Sequence, residues 1–161
     1  MNTHISTLSE AQTQDVARQM MVQLLADPHV AEKPLILMLY GNLGAGKTAF
    51  MKVVADMLGI TDLVSPAFVV YYEYPIDAYG FKYLYHFDLY RITEESEFDH
   101  LGVEDVVVPG NVIAIEWSEK SGPIDGLLRE RGRVIEVHIE HGGGDVRQIQ
   151  FVGLPDSITF I

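Results

Sequence analysis

The octapeptide Gly41-Asn42-Leu43-Gly44-Ala45-Gly46-Lys47-Thr48 constrains this chain more than any other stretch. It meets the phosphate-loop pattern G-x-x-x-x-G-K-[ST] at every fixed position. The short apolar run Leu35-Ile36-Leu37-Met38-Leu39-Tyr40 comes before it and reads as a buried strand. After it, Phe50, Val53, Val54, Met57 and Leu58 recur at helical spacing, and Gly59 stands where a helix stops. The loop therefore joins a strand to a helix, the context in which backbone N–H groups and a helix N-terminus converge on a polyphosphate. Glycines let that backbone bend and approach closely. Lys47 supplies a mobile positive charge for the β and γ phosphates, and Thr48 a hydroxyl for Mg²⁺. Asn42, Leu43, Gly44, Ala45, Gly46, Lys47, Thr48 and Ala49 are the expected nucleotide contacts.

Composition narrows the remaining choices. A length of 161 residues predicts one domain, 1–161, and no apolar run reaches the length of a membrane span. The N-terminus lacks the build of a secretory signal, so a cytoplasmic location is expected. Cysteine is absent, which removes disulfides and thiolate metal sites. The net charge of −12 argues against a broad DNA- or RNA-gripping surface, which needs clustered Lys and Arg.

Taken in order, the spacing predicts an amphipathic helix over Thr7 to Ala26, with Thr7-x-x-Glu10 as its capping box. Its apolar stripe reads as core, and Thr13 is a candidate contact near the base, since a helix before a phosphate-loop strand can lend residues there. Phe68 to Tyr74 and Phe81 to Phe87 form a predicted hairpin around a turn at Pro75 to Gly80. The six tyrosines between Tyr71 and Tyr85 read as strand packing in preference to a base-stacking platform. Thr93 caps a short helix that Gly102 closes, and Val112 to Ile115 is a second buried strand. Gly122-Pro123 opens a polar stretch with at most one helical turn. Arg133 to Glu140 and Val146 to Val152 pair as a terminal antiparallel hairpin. The fold class is α/β: a P-loop NTPase fold, with a mixed central sheet flanked by helices and antiparallel hairpin additions.

A phosphate loop alone only binds, whereas hydrolysis also needs an acid near Mg²⁺ and a group that positions water. Asp88 and Glu116 each end an apolar strand, where ligands of open α/β sheets lie. Either acid is a candidate for the metal and for the attacking water. His86 shares the strand face of Asp88 and is read as packed or hydrogen-bonded, since no third ligand completes a metal set.

Gly41 to Thr48, Ser65-Pro66, Tyr85-His86-Phe87-Asp88-Leu89-Tyr90-Arg91, Glu97-Phe98-x-x-Leu101-Gly102 and Ile115-Glu116-Trp117 occur in an order that strongly resembles the TsaE (YjeE) family. The resemblance covers most of the chain, and its His-Phe-Asp-Leu-Tyr-Arg string is highly specific. It implies a small bacterial ATPase that binds ATP and Mg²⁺, hydrolyses ATP poorly by itself, and supports threonylcarbamoyladenosine formation in tRNA. Its partners would be TsaB and TsaD, the latter transferring the threonylcarbamoyl group, with tRNA engaged indirectly. Glu116 matches the family's magnesium-associated acid, Asp88 an acid required for activity, and Trp117 an aromatic beside the nucleotide. Lys47, Asp88 and Glu116 are thus the expected catalytic set, and Thr48, Glu116 and Asp88 the expected metal set. Two departures stand out: Ala67 replaces the usual threonine of a Ser-Pro-Thr string, and Ala49 follows Thr48 where a second threonine is common. Alanine has no oxygen, so the contact that threonine would make to Mg²⁺ or the γ-phosphate is either missing or comes from Ser65 or backbone.

Three other functions are weighed against this one. A nucleotide-dependent binding module would use ATP occupancy alone. A small-molecule kinase would need an arginine-rich lid, and only Arg129, Arg131 and Arg133 cluster. A GTPase would need an Asn-Lys-x-Asp string, which does not occur.

Overall fold

The computed structural model describes residues 2–42, 44–66 and 69–161. Leu43, Ala67 and Phe68 lie outside the described residues, so the expectations for Leu43 and for position 67 fall there.

Leu35–Tyr40 (β2) runs through the middle of the sheet. Leu35 to Leu39 are fully buried, as an all-apolar strand must be when both its faces are covered. It is parallel to Asn111–Glu116 (β5) on one side and to Arg133–His141 (β6) on the other. Phe81–Asp88 (β4) lies parallel to β5, and Tyr71–Ala78 (β3) closes that edge antiparallel. Arg147–Val152 (β7) pairs antiparallel with β6, and Asn2–Thr7 (β1) pairs antiparallel with β7. The order is β1-β7-β6-β2-β5-β4-β3, a mixed α/β sheet.

Glu10–Leu25 (α1) and Lys47–Met57 (α2) pack on one face, against Leu35, Leu37, Leu39, Val137 and Phe151. Ile36, Met38, Ile113 and Ile115 point the other way, towards Val103–Val106 (α3) and Gly122–Arg131 (α4). This alternation follows the two-residue period of a strand. It places Leu84, His86 and Asp88 of β4, and Val112, Ala114 and Glu116 of β5, on two adjacent rows facing α2. Each row is apolar at its start and ends in an acid.

Several elements differ from the sequence reading. Thr7 ends β1 instead of capping α1. The cap is Ser9, whose hydroxyl accepts from Gln12 N at 3.2 Å, while Gln12 Oε1 accepts from Leu8 N at 2.8 Å. The cap is two residues late because β1 claims the polar residues before it. The β3–β4 turn shrinks to Tyr79-Gly80, since Pro75 is tolerated in an edge strand that needs no N–H there. The short helix at Glu95–His100 is 3₁₀, and its cap is Glu94, not Thr93. Glu97 there accepts from the N–H groups of Thr93 and Glu94, closing a reciprocal box. Gly102, at φ 67°, ends that turn and starts α3. The stretch after Gly122 is a full ten-residue helix, α4, opened by Pro123 at its first turn and docked by Ile124 and Leu128. The terminal hairpin forms, and it also joins the main sheet through β2 and β1. Among the described residues, no helix is long and apolar enough to cross a membrane.

Candidate nucleotide site

The loop after β2 begins at Gly41, whose φ is 147° and where any Cβ would collide with the Ile139 carbonyl. Gly46 caps α2 from the left-handed region at φ 109°. Both positions therefore demand glycine on backbone grounds.

Two side chains hold the loop from outside, and Lys47 ties it from within. Glu119 Oε2 accepts from Gly41 N at 3.1 Å. Arg147, on β7, donates through Nε to Ala45 O at 3.0 Å and through its guanidinium to Gly44 O at 3.4 Å. Lys47 Nζ donates to Gly41 O and stands 3.9 Å from the Trp117 ring centroid. Binding two loop carbonyls from the β7 side commits Arg147 to the outer surface of the loop. Sequence reasoning passed over Arg147 and Glu119, because their contacts span 102 and 78 residues.

A cleft of about 510 Å³ opens beside the loop. Its lining includes Gly44, Gly46, Lys47, Thr48, Ala49, Ser65, Asp88, Glu116 and Trp117. Most of the expected contacts thus meet in one place. Asn42 and Ala45 do not line it. They face a separate cavity of about 400 Å³ with Tyr40, Glu119 and His138, and the Ala45 amide is donated to Asn42 O. Thr13 is buried, shares a 2.8 Å hydroxyl contact with Thr7, and lines a smaller pocket of about 120 Å³ with Gly44 and Gly46. Ser65 lines the main cleft and brings a hydroxyl oxygen to it.

Asp88 and Glu116 are register partners on neighbouring parallel strands. Asp88 Oδ1 accepts from Tyr90 N at 2.9 Å. Burial pushes the Asp88 carboxyl above the usual carboxylate range; the Tyr90 N–H opposes this and the Glu116 charge adds to it. Burial lowers the Lys47 ammonium, against the pull of Glu119, Glu116 and Asp88. Glu116 Oε2 lies 2.6 Å from His86 Nε2, both side chains being buried. His86 is thus hydrogen-bonded, as the sequence reading has it.

One backbone outlier lines the cleft, and a second is hydrogen-bonded to Asp88, which lines it. Trp117 takes φ 59°, which swings its ring back over Lys47 immediately after Glu116. Val70, a β-branched residue at φ 73°, accepts from Asp88 N at 2.7 Å and donates to Pro66 O at 2.8 Å. Residues rarely adopt such angles unless their surroundings force them, and such outliers cluster at binding sites. The turn after Trp117 also braces the Asp88 loop: Lys120 Nζ donates to Tyr90 O at 2.5 Å and to Ile92 O at 3.1 Å.

The donor set fits Mg²⁺. Thr48 offers a hydroxyl, Asp88 and Glu116 offer hard carboxylate oxygens, and this ion uses one or two carboxylates together with substrate phosphates. Among the described residues, no three His, Asp or Glu groups form a protein-only metal cage. The arginine cluster faces elsewhere. Arg133 pairs with Leu35 at the far end of β2, Arg129 bonds Asp125 and Glu136, and Arg131 bonds Glu104 O.

Comparison with known proteins gives a consistent result. The sequence model of the family described as "Threonylcarbamoyl adenosine biosynthesis protein TsaE" matches residues 7–149. The tRNA threonylcarbamoyladenosine biosynthesis protein TsaE of Bacillus subtilis is 38% identical over 120 residues, covering 74% of this chain and 70% of the relative. Its Haemophilus influenzae counterpart is 35% identical over 122 residues, covering 75% and 72%. The crystal structure of YdiB from Bacillus subtilis superposes with a TM-score of 0.64 at 28% identity, covering 98% of this chain and 89% of the other.

Proposed function

The chain belongs to the TsaE family of threonylcarbamoyladenosine biosynthesis proteins, and from that premise we propose that it is a Mg²⁺-dependent ATPase of low intrinsic rate. In this reading it supports threonylcarbamoyladenosine modification of tRNA by acting on a partner complex of the TsaB–TsaD kind. The observation that carries it is the convergence of Lys47, Thr48, Asp88 and Glu116 on one cleft at the carboxyl ends of β2, β4 and β5.

Each side chain has a part that follows from its position. The loop amides and Lys47 receive the phosphate tail of ATP. Trp117 and the Gly41 carbonyl keep the Lys47 ammonium beside the loop. Thr48 and Glu116 would hold the metal ion, which would supply neutralisation of the phosphate charge. Asp88 orients the attacking water. Its Oδ1 is engaged by Tyr90, so Oδ2 is the oxygen that takes the water's proton. A raised pKa makes the Asp88 carboxylate a stronger base than an ordinary one. The bond formed is water oxygen to γ-phosphorus and the bond broken is γ-phosphorus to the bridging oxygen, giving ADP and phosphate. Among the described residues no arginine lines the cleft. A partner that completes the charge clamp would raise the rate by about 10³–10⁵, as arginine fingers do.

The test is ATP turnover with pathway partners and tRNA present, comparing the unaltered chain with Asp88→Asn and Glu116→Gln. Each variant is expected to lose turnover by about 10²-fold or more while staying folded. Full turnover in either variant removes that acid from the mechanism. A second reading, a binding module that uses ATP occupancy alone, is favoured by the same missing arginine. It wins if a non-hydrolysable ATP analogue supports many rounds of tRNA modification.

A further inference from the structure

His86 is 2% exposed and lies on the row that ends in Asp88. Its register partner is Ala114, two residues before Glu116 on the adjacent strand. That offset brings Nε2 to 2.6 Å from Glu116 Oε2. The other ring nitrogen, Nδ1, is buried and has no hydrogen-bond partner among the described residues. An orphaned buried nitrogen costs free energy whether it is a bare lone pair or carries a proton. A phenylalanine or leucine would fill this position without that cost. The imidazole is therefore not explained by packing, and its one engaged atom faces the acid placed here beside the metal ion.

We infer that His86 is a positioning residue for Glu116: its Nε2–H holds Oε2 of the carboxylate, fixing the rotamer so that Oε1 is the oxygen presented to a divalent cation in the cleft. The inference rests on the reading of Glu116 as a metal-holding acid. Several features converge on it. Glu116 has Asp88 as its register partner, and two carboxylates on adjacent strands repel. A hydrogen-bond donor on one oxygen offsets part of that repulsion. It also prevents Glu116 from turning towards Lys47, whose ammonium feels its charge. Outer partners of this kind fix the orientation of metal ligands, and their loss typically costs 10–100-fold in metal affinity.

The chain's single tryptophan, Trp117, adjoins Glu116 and packs on Lys47, so its fluorescence reports on the cleft. The experiment titrates Mg²⁺ into the full chain with saturating ADP, following Trp117, and separately measures ADP affinity in EDTA. In His86→Phe the Mg²⁺ midpoint is expected to rise about 10–100-fold, with ADP affinity in EDTA unchanged. His86→Gln, which keeps an amide donor of similar reach, is expected to recover most of the loss. If His86→Phe does not fold, His86→Asn carries the test, because it keeps polarity but its donor falls short of Glu116. A Mg²⁺ midpoint within about twofold of the unaltered chain in the folded variant overturns the inference. Glu116→Gln, run in parallel, separates the two layers. If it shifts the midpoint and the His86 variants do not, only the role of His86 fails. If it leaves the midpoint unmoved, the placement of Glu116 at the metal fails first.

Discussion

At the scale of single residues, the role proposed for Asp88 and its effect on stability pull apart. Its carboxyl is held above the ordinary range first by burial, with the Tyr90 N–H opposing and the Glu116 charge assisting. The sign of the linkage follows directly. Between the unfolded carboxylate value, about 3.9, and the raised folded value, the native state binds more protons than the unfolded chain. Stability therefore falls as pH rises through that window, and the cost is fully present above it. Asp88→Asn removes the cost and keeps an oxygen to accept from Tyr90. In EDTA without nucleotide, its melting temperature should exceed that of the unaltered chain at pH 7.5, and the gain should shrink towards zero as pH approaches 4. Scanning calorimetry across pH checks this. A lower melting temperature at every pH would show that the carboxylate is not an energetic burden in the fold. The acid itself was legible in the sequence, because it ends an apolar run. The His86–Glu116 contact was not, since it depends on the pairing of two strands 30 residues apart.

At the scale of elements, the phosphate loop owes its shape to parts of the chain that no local pattern connects to it. The strand–loop–helix of β2 and α2 was readable because its whole signal lies within about 25 residues. β1 was missed because Asn2–Thr7 is polar and short, and becomes a strand only through β7, which follows more than 140 residues later. α4 was underestimated because its two glycines and Pro123 mimic a loop, and only Ile124 and Leu128 tie it to the core. β7 also carries Arg147 to the loop carbonyls of Gly44 and Ala45. Charge-assisted hydrogen bonds contribute about 1.5–3 kcal/mol. Arg147→Ala should therefore weaken ADP binding at least about tenfold while the circular dichroism spectrum stays unchanged. Unaltered ADP affinity in that variant would mean that the loop holds its shape without β7.

At the scale of the whole molecule, the sheet divides the labour. Its parallel centre, β6-β2-β5-β4, points its carboxyl ends to one edge, where β2, β5 and β4 end at the cleft, and its antiparallel edges brace that centre. The overall charge of −12 is set against a site proposed to receive a polyphosphate, so the positive potential has to be local. Lys47, Lys52, the loop amides and the first turn of α2 supply it within a few residues. The class of fold was legible because the loop motif demands it, while the strand order was not, since β6 crosses to the far side of β2 without any local signal. The central claim, that ATP is held by its phosphates against Lys47, is tested most directly by calorimetric titration of ATP with Mg²⁺ into the unaltered chain and into Lys47→Ala. Saturable binding of one ATP per chain, weakened at least about tenfold in the variant, is the predicted result. Equal affinity in the two proteins, or no binding in the unaltered chain, would contradict it.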